Sequence, residues 1–502
     1  MGGTSVTPSA PGVRDPAASP GAWFLGENAA KIPYNGYIMA EKPTKAPSTP
    51  KPIGPTMDEL TSLTKRRGFI FQSSEIYGGL AGFWDYGPYG TELVSNIKQA
   101  WWQAFVWRHA NITGLDSAII QNPKLWQASG HVDTFVDPMI DCKHCKHRFR
   151  ADHVADFETK DLKKYDAALK AKACPNCGKV GTFTPARTFQ MMFKTFVGPV
   201  EDDASAAYLR PETAGGIFAQ FANVMETSRQ KLPFGIAQIG KAFRNEITPG
   251  DFIFRVREFE QMELEYFIRP EQQEAEYKRW RQFCMDWLLG IGLKKANLSF
   301  HEHAADERAH YAAASVDINY AYPFGSKELY GIANRTDFDL KQQGSASGKD
   351  LSYFDQENNG KFIPYVIEPS VGIGRLVLAL IHSAYHEEEV NGEKRVVLQF
   401  HPDIAPVKVA VLPLSKKPEL SKVAQEVFDS ISGRWRTEYD ETQSIGRRYR
   451  RQDEIGTPLC VTVDFDSLED KQVTIRHRDT LKQVRVPIAK LTDHIAEQLA
   501  NF

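Results

Sequence analysis

The sequence predicts an α+β fold built on an antiparallel sheet, followed by a separate small α/β domain. Strand-like runs at Phe189–Phe196, Gly235–Ile247, Phe252–Phe267 and Phe362–Pro369 mix with helices without a regular strand–helix–strand alternation. Two of these runs meet at Thr248-Pro249-Gly250-Asp251, whose turn composition predicts a long hairpin. From about residue 405 the pattern changes. Val407–Leu412 and Leu459–Asp464 read as strands, Glu419–Ile431 and Leu491–Leu499 as helices, and Pro402 and Pro406 mark the linker.

The chain of 502 residues has room for two or three domains, and its 42% hydrophobic and 25% charged residues are ordinary for a globular protein. A net charge of −2 leaves RNA binding open, because a local basic face can coexist with an acidic remainder. The longest apolar candidate, Leu376–Ile381, is far short of the roughly 20 residues of a membrane span. Residues 1–55, rich in Pro, Ala, Ser and Gly, read as a disordered tail without the pattern of a secretory signal; Met39 and Met57 are alternative starts. Folded structure is expected from Met57, with Asp58 capping a short helix to Arg67. After the Gly87–Gly90 turn, a helix from about Thr91 to Trp107 places Leu93, Ile97, Trp101, Ala104 and Phe105 on one face, widened by Trp102 and Val106. Such a face needs a deep core or a partner subunit. A further helix is expected over about residues 271–290.

Four of the six cysteines form two Cys-x-x-Cys pairs, Cys142/Cys145 and Cys174/Cys177, which suit metal binding in a reducing compartment. Two such knuckles predict one tetrahedral, structural Zn²⁺, with His144 and His147 as spare ligands. Cys284 and Cys460 sit in apolar contexts and read as core.

The hairpin carries the chemistry. Side chains alternate faces along a strand, so Arg244 and Glu246 share a face with Gly240 and Ala242, while Arg257, Phe259, Gln261, Glu263 and Glu265 share one on the return. Arginines facing carboxylates around an aromatic platform suit phosphates, a planar ring and an ammonium group: ATP beside an amino acid. A second segment, Tyr365 to Ile381, ends an apolar strand in Glu368-Pro369-Ser370, then opens a helix with Gly372, Gly374 and Arg375. Glycines allow close backbone approach, and a helix N-terminus bearing an arginine attracts polyphosphate.

These segments resemble motifs 2 and 3 of class II aminoacyl-tRNA synthetases, and Gly87–Trp107 resembles the motif 1 dimer helix. Arg66–Gly79, Tyr208-Leu-Arg-Pro-Glu-Thr213 and Gly331–Leu340 are similar to glycyl-tRNA synthetases of the dimeric type. The resemblance spans about residues 57–500. It implies a catalytic domain over residues 56–400 with a Cys-rich insertion at 139–180, an anticodon-binding domain over 401–502, a cytoplasmic homodimer, and activation of glycine by ATP with Mg²⁺ for transfer to tRNA(Gly).

By the same resemblance, Arg244 binds the α-phosphate and Arg375 the γ-phosphate, as the catalytic pair. The expected ATP site comprises these with Asn245, Glu246, Phe254, Arg255, Val256, Arg257, Glu258, Phe259, Glu328, Leu329, Gly372, Ile373 and Gly374. Phe259 stacks on adenine, and Glu328 helps hold Mg²⁺. The expected substrate site comprises Arg150, Glu212, Phe259, Glu260, Gln261, Met262, Glu263, Arg335, Glu368, Pro369, Ser370, Val371 and Gly372. Glycine offers only an ammonium and a carboxylate, so carboxylates fix one end and an arginine the other. Larger amino acids are excluded by filling the space beside Cα, and no segment is left over for editing. Two positions depart from the family: Gly215 stands where a glutamine is usual, and Gly250 where an arginine often follows the motif 2 proline. In the tail domain, Arg447–Arg451 with Tyr449, and Arg476-His-Arg478, read as an RNA-binding cluster flanked as in anticodon-binding domains.

Overall fold

A computed structural model describes residues 54–159, 161–304 and 312–502; the predicted tail lies outside the described residues up to position 53. Helix α1 (Met57–Arg66) is capped by Thr56, not Asp58. Thr56 Oγ1 accepts from the Glu59 amide at 3.3 Å, and the Thr56 amide donates back to Glu59 at 2.8 Å. That reciprocal box is written in the sequence as Thr-x-x-Glu.

Helix α2 (Pro88–Trp102) starts at Pro88 rather than Thr91, because Gly87 caps it and proline suits the first helical position. A π-turn over Gln103–Trp107 ends it. Leu93, Ile97, Trp101 and Phe105 are fully buried in the chain's own core. Phe105 stacks on Trp101 at 4.7 Å and on Trp280 at 5.9 Å. The chain's own deep core accounts for these four residues of the apolar face.

The main sheet has seven strands: β1 (Ile112–Gly114), β2 (Phe234–Phe243), β3 (Glu258–Ile268), β4 (Leu298–Glu302), β5 (Ala314–Tyr322), β6 (Gly325–Thr336) and β7 (Tyr365–Gly372). Their order is β4-β5-β6-β7-β3-β2-β1. Every pairing is antiparallel except the short edge strand β1, which runs parallel to β2. The predicted hairpin strands are shortened at their turn ends. Strand β2 stops at Phe243 and β3 begins at Glu258, so Thr248–Asp251 is the tip of a longer loop held by a Gly250–Arg255 bridge. The run Phe189–Phe196 splits between two small sheets, Arg187–Gln190 in one and Lys194–Phe196 in the other.

One face of the main sheet is covered by α2, α4 (Gln273–Gly290) and α5 (Ile373–Ala384), while α3 (Ala214–Thr227) packs on the other face against Phe234, Ile236, Phe267 and Val366. Met262, Val371, Tyr330 and Ile332 point into the core under α2, α4 and α5 because they alternate with the polar residues of their strands.

The C-terminal sheet contains β8 (Val409–Pro413), β9 (Thr437–Tyr439), β10 (Leu459–Val463), β11 (Gln472–His477) and β12 (Gln483–Pro487), in the order β9-β8-β10-β11-β12. Strands β9, β8 and β10 are parallel and the rest antiparallel. Helices α6 (Pro418–Ser432), α7 (Ile445–Ile455) and α8 (Leu491–Ala500) complete it, α6 and α8 closing a separate apolar core. Between the two regions, Ile404, Ala405 and Val407 are fully buried, and the Lys408 ammonium donates to the carbonyls of Pro402, Asp403 and Ala405. The prolines therefore mark a packed joint.

Candidate active site

The face of the main sheet that α3 covers at one end is built in cross-strand rows. Gly331, Ser370, Glu263 and Gln238 lie opposite one another on β6, β7, β3 and β2. The next rows are Gly372–Gln261–Gly240, then Phe259–Ala242, with Ala333 opposite Glu368. Opposed residues share a face. The small residues leave the floor open, and a cavity of about 260 Å³ stands above it. Gly240 also gives way to the Arg210 guanidinium, which would lie 2.2 Å from a Cβ there.

One end of the cavity is acidic. Glu263 receives the Thr213 amide (2.8 Å) and hydroxyl on one oxygen, and Gln261 (3.0 Å) and Ser370 (2.9 Å) on the other. This leaves Gln261 Oε1 buried without a donor among the described residues. Burial opposes ionisation of Glu212, but His131, Arg335 and Arg244 outweigh it and hold its carboxyl at about 2. Burial pushes Glu368 up to about 8, with Glu263 and Glu212 adding to it against the Arg335 guanidinium. Glu265, fully buried beside them, is raised well above the ordinary range by burial and by Glu368. Closely spaced carboxylates with an acceptor amide suit an ammonium group.

The other end is basic and aromatic. The Arg244 Nε donates to the Pro211 carbonyl at 3.1 Å, and the guanidinium lies 5.3 Å from the Phe259 ring. Arg375 lies 4.5 Å from the Phe254 ring and pairs with Glu328 at 2.8 Å. Arg375 holds Glu328 below the ordinary carboxylate range in spite of burial, whereas burial and Glu328 raise its neighbour Asp317. Both carboxylates line the cavity, so a divalent cation accompanying a polyphosphate would relieve their repulsion.

Of the expected residues, the cavity brings together Glu212, Arg244, Glu246, Phe254, Arg255, Val256, Phe259, Gln261, Glu263, Glu328, Glu368, Ser370, Gly372, Gly374 and Arg375. Others lie outside its lining. Leu329, Met262, Val371 and Ile373 are core residues, and Pro369 is buried with them on the reverse of the strand alternation. Glu258 and Glu260 line a neighbouring hollow, paired with Lys241 and Lys98. Asn245 lies outside the lining, its amide bonded to the Met191 carbonyl. Arg335 is buried, holding Asp339 at 2.7 and 2.9 Å and Glu368 at 2.7 Å, so it orients the acidic end from behind. Arg150 is engaged by Asp152 (2.6 and 3.1 Å) and Asp137 (2.7 Å). Arg257 does not reach the cavity; its guanidinium binds backbone carbonyls. Gly215 has a packing reason, since a Cβ there would lie 2.8 Å from the Trp126 ring. Gly250 has open space around it. Ser315 and Asp317 line the cavity without having been expected. The alternation Val316, Ile318, Tyr320, Tyr322 on β5 was the signal that could have found them.

The family is decided by comparison. Residues 196–384 match a model described as tRNA synthetase class II core domain (G, H, P, S and T), and residues 408–498 match an anticodon binding domain. A glycine–tRNA ligase of Caldanaerobacter subterraneus subsp. tengcongensis is 54% identical over 462 residues, 89% of this chain and 99% of that protein. Those of Clostridium acetobutylicum (54%; 88% and 99% covered) and Thermobifida fusca (52%; 89% and 98% covered) are similarly near. The chain belongs to the glycine–tRNA ligases. This class II fold is also seen in a prolyl-tRNA synthetase from Cryptosporidium parvum complexed with L-proline and AMP, with a TM-score of 0.59 at 14% identity, covering 89% of this chain and 75% of that one.

Outside the cavity, the four knuckle cysteines place their sulfurs within 4.8 Å of one another, with Cys142–Cys177 at 3.8 Å and Cys145–Cys174 at 3.7 Å. Tetrahedral bonds of about 2.3 Å to one ion separate thiolates by about 3.8 Å, so the set fits a single metal. The Cys145 amide and the Thr182 hydroxyl hold Cys142 down at about 5. Against the Lys179 amide, burial and the neighbouring sulfurs push Cys177 up to about 11, a repulsion that a cation would reverse.

The basic cluster of the C-terminal domain is largely internal. It lies on α7, where Arg448 is buried and donates to the carbonyls of Pro413, Asp440 and Leu414. Arg476 binds Asp453 at 2.9 and 3.0 Å, and Arg478 binds Asp479 and the Gly456 carbonyl. Arg447 is the exposed member.

Proposed function

We propose that this chain activates glycine with ATP to glycyl-adenylate and transfers the glycyl group to the 3′ end of tRNA(Gly). The observation that carries it is one cavity with an acidic, closed end and a basic, aromatic end, in a chain 54% identical to glycine–tRNA ligases. The glycine ammonium fits between Glu212, Glu368 and the free Gln261 oxygen, while Arg244 meets both the glycine carboxylate and the α-phosphate. Adenine stacks on Phe259, and Arg375 takes the far phosphate. The carboxylate attacks the α-phosphorus in line, pyrophosphate leaves, and Arg244 and Arg375 stabilise the charge that develops. The terminal ribose hydroxyl of the tRNA then attacks the adenylate carbonyl and AMP leaves; no protein nucleophile takes part. Mg²⁺ bound with the nucleotide would be held at Glu328, and would neutralise polyphosphate charge.

The finer expectations belong to the same proposal: a cytoplasmic homodimer with one structural Zn²⁺ on Cys142, Cys145, Cys174 and Cys177. Among the described residues no helix is long and apolar enough to cross a membrane. Exposed Ile76, Tyr77 and Trp107 support a dimer, and sedimentation should give twice the 56.6 kDa chain mass. ATP–pyrophosphate exchange across the twenty amino acids tests the activity. Glycine alone should drive it strongly; equal stimulation by alanine or serine would overturn the assignment.

A further inference from the structure

Residues 244–257 contain neither helix nor strand, only the Gly250–Arg255 bridge, yet carry Arg244, Glu246 and Arg255 into the cavity. Charged groups act on a transition state only when held in place. Arg257 supplies the restraint. Its Nε and Nη2 donate to the Glu246 carbonyl at 3.0 and 2.8 Å, and its Nη1 to the Ala81 carbonyl at 2.8 Å. Its amide donates to the Gly82 carbonyl at 2.8 Å, and its carbonyl accepts from the Arg244 amide at 2.9 Å. Three chain segments thus meet at one residue.

The strap it grips, residues 79–82, is itself fixed: Gln72 Nε2 donates to the carbonyls of Leu80 (2.9 Å) and Phe83 (3.0 Å). Gly82 lies flat on the loop at φ +79°, where a Cβ would fall 2.8 Å from Pro249 and 3.2 Å from Arg257 Cγ. Two carbonyls on separate segments call for the planar, many-donor guanidinium; a lysine ammonium is a point charge without that fork.

We propose that Arg257 is a positioning residue for adenylation, clipping the nucleotide loop to the 79–82 strap so that Arg244 and Glu246 reach the phosphates, without itself touching the nucleotide. This rests on the cavity being the ATP site. The two ends of the clip allow a test with Arg257→Lys, Arg257→Ala, Gly82→Ala and the Arg257→Ala/Gly82→Ala double variant. ATP Kd by titration calorimetry, KM for ATP and glycine in exchange, and melting temperature are read for each. Each single variant should weaken ATP binding about tenfold, with glycine KM within about twofold. The double variant should be no worse than its more damaged parent, because one clip is broken once. Wild-type ATP affinity in Arg257→Lys, or multiplied defects in the double variant, would overturn the clip. So would a Gly82→Ala variant that binds ATP normally beside an Arg257→Ala variant that does not, since Arg257 would then act on the nucleotide directly. ATP affinities judge the clip even if the amino acid exchanged proves not to be glycine, an outcome that sinks the functional reading alone.

Discussion

The catalytic sheet and the C-terminal domain both read as arginine clusters in sequence, but use their arginines differently. In the cavity, Arg244 has one backbone hydrogen bond, Arg375 has one carboxylate partner and two long backbone contacts at 3.3 and 3.5 Å, and both line open space. In the C-terminal domain, Arg476 meets the buried carboxylate of Asp453, which Arg395 from the preceding strand Glu393–Leu398 also reaches, and both terminal nitrogens of Arg448 donate to carbonyls. An arginine serves a ligand only to the extent that its donors are unclaimed by the fold. Composition cannot show this; partner geometry does.

The largest effect is expected at the buried end. Arg476→Ala should cost about 3–5 kcal/mol of unfolding free energy, because it strips one partner from a buried ion network. The check is calorimetric melting; an unchanged transition would mean that the network is dispensable. Arg244→Ala should do the opposite, leaving melting unchanged while lowering exchange kcat/KM about a hundredfold. If its rate stays near wild type, the phosphate end has been misplaced.

A pH series sharpens the contrast within the acidic end. Glu212, at about 2, stays ionised throughout the working range. Glu368, at about 8, is protonated in the folded chain between its ordinary value and about 8, where the unfolded chain has released that proton. Unliganded stability should therefore fall as pH rises through that window. An ammonium ligand favours the ionised form, so glycine KM should fall between about pH 6 and pH 8, and Glu368→Gln should flatten the dependence. A pH-independent KM in the unaltered enzyme would remove Glu368 from ammonium recognition. The smallest effect is expected at exposed Arg447. Arg447→Ala should raise tRNA KM a few-fold, more at low salt, and leave exchange untouched; loss of exchange would contradict a role confined to tRNA.

Much of the site was legible because a strand alternates strictly. Gly240, Ala242, Phe259, Gln261 and Glu263 share the face that the pattern required, and the same rule explains why Met262 and Val371, though adjacent to cavity-facing residues, belong to the core. Less legible was anything fixed by distant partners. Arg335 looked like a ligand contact but is claimed by Asp339 and Glu368, and Arg257 is claimed by Glu246 and Ala81. Within the basic run on α7 only Arg448 is buried, its contacts being carbonyls from other segments, which a run of arginines in sequence does not show. The Thr56 cap was a missed local signal, since its Glu59 partner lies three residues on.

Whether one cavity holds glycine at its acidic end and AMP at its basic end is read from a crystal structure with a non-hydrolysable glycyl-adenylate analogue. The ammonium should lie among Glu212, Glu368 and Gln261 Oε1, the phosphate on Arg244, and adenine against Phe259. An analogue bound in the reverse orientation, or outside this cavity with the Arg244 guanidinium free, would contradict this arrangement.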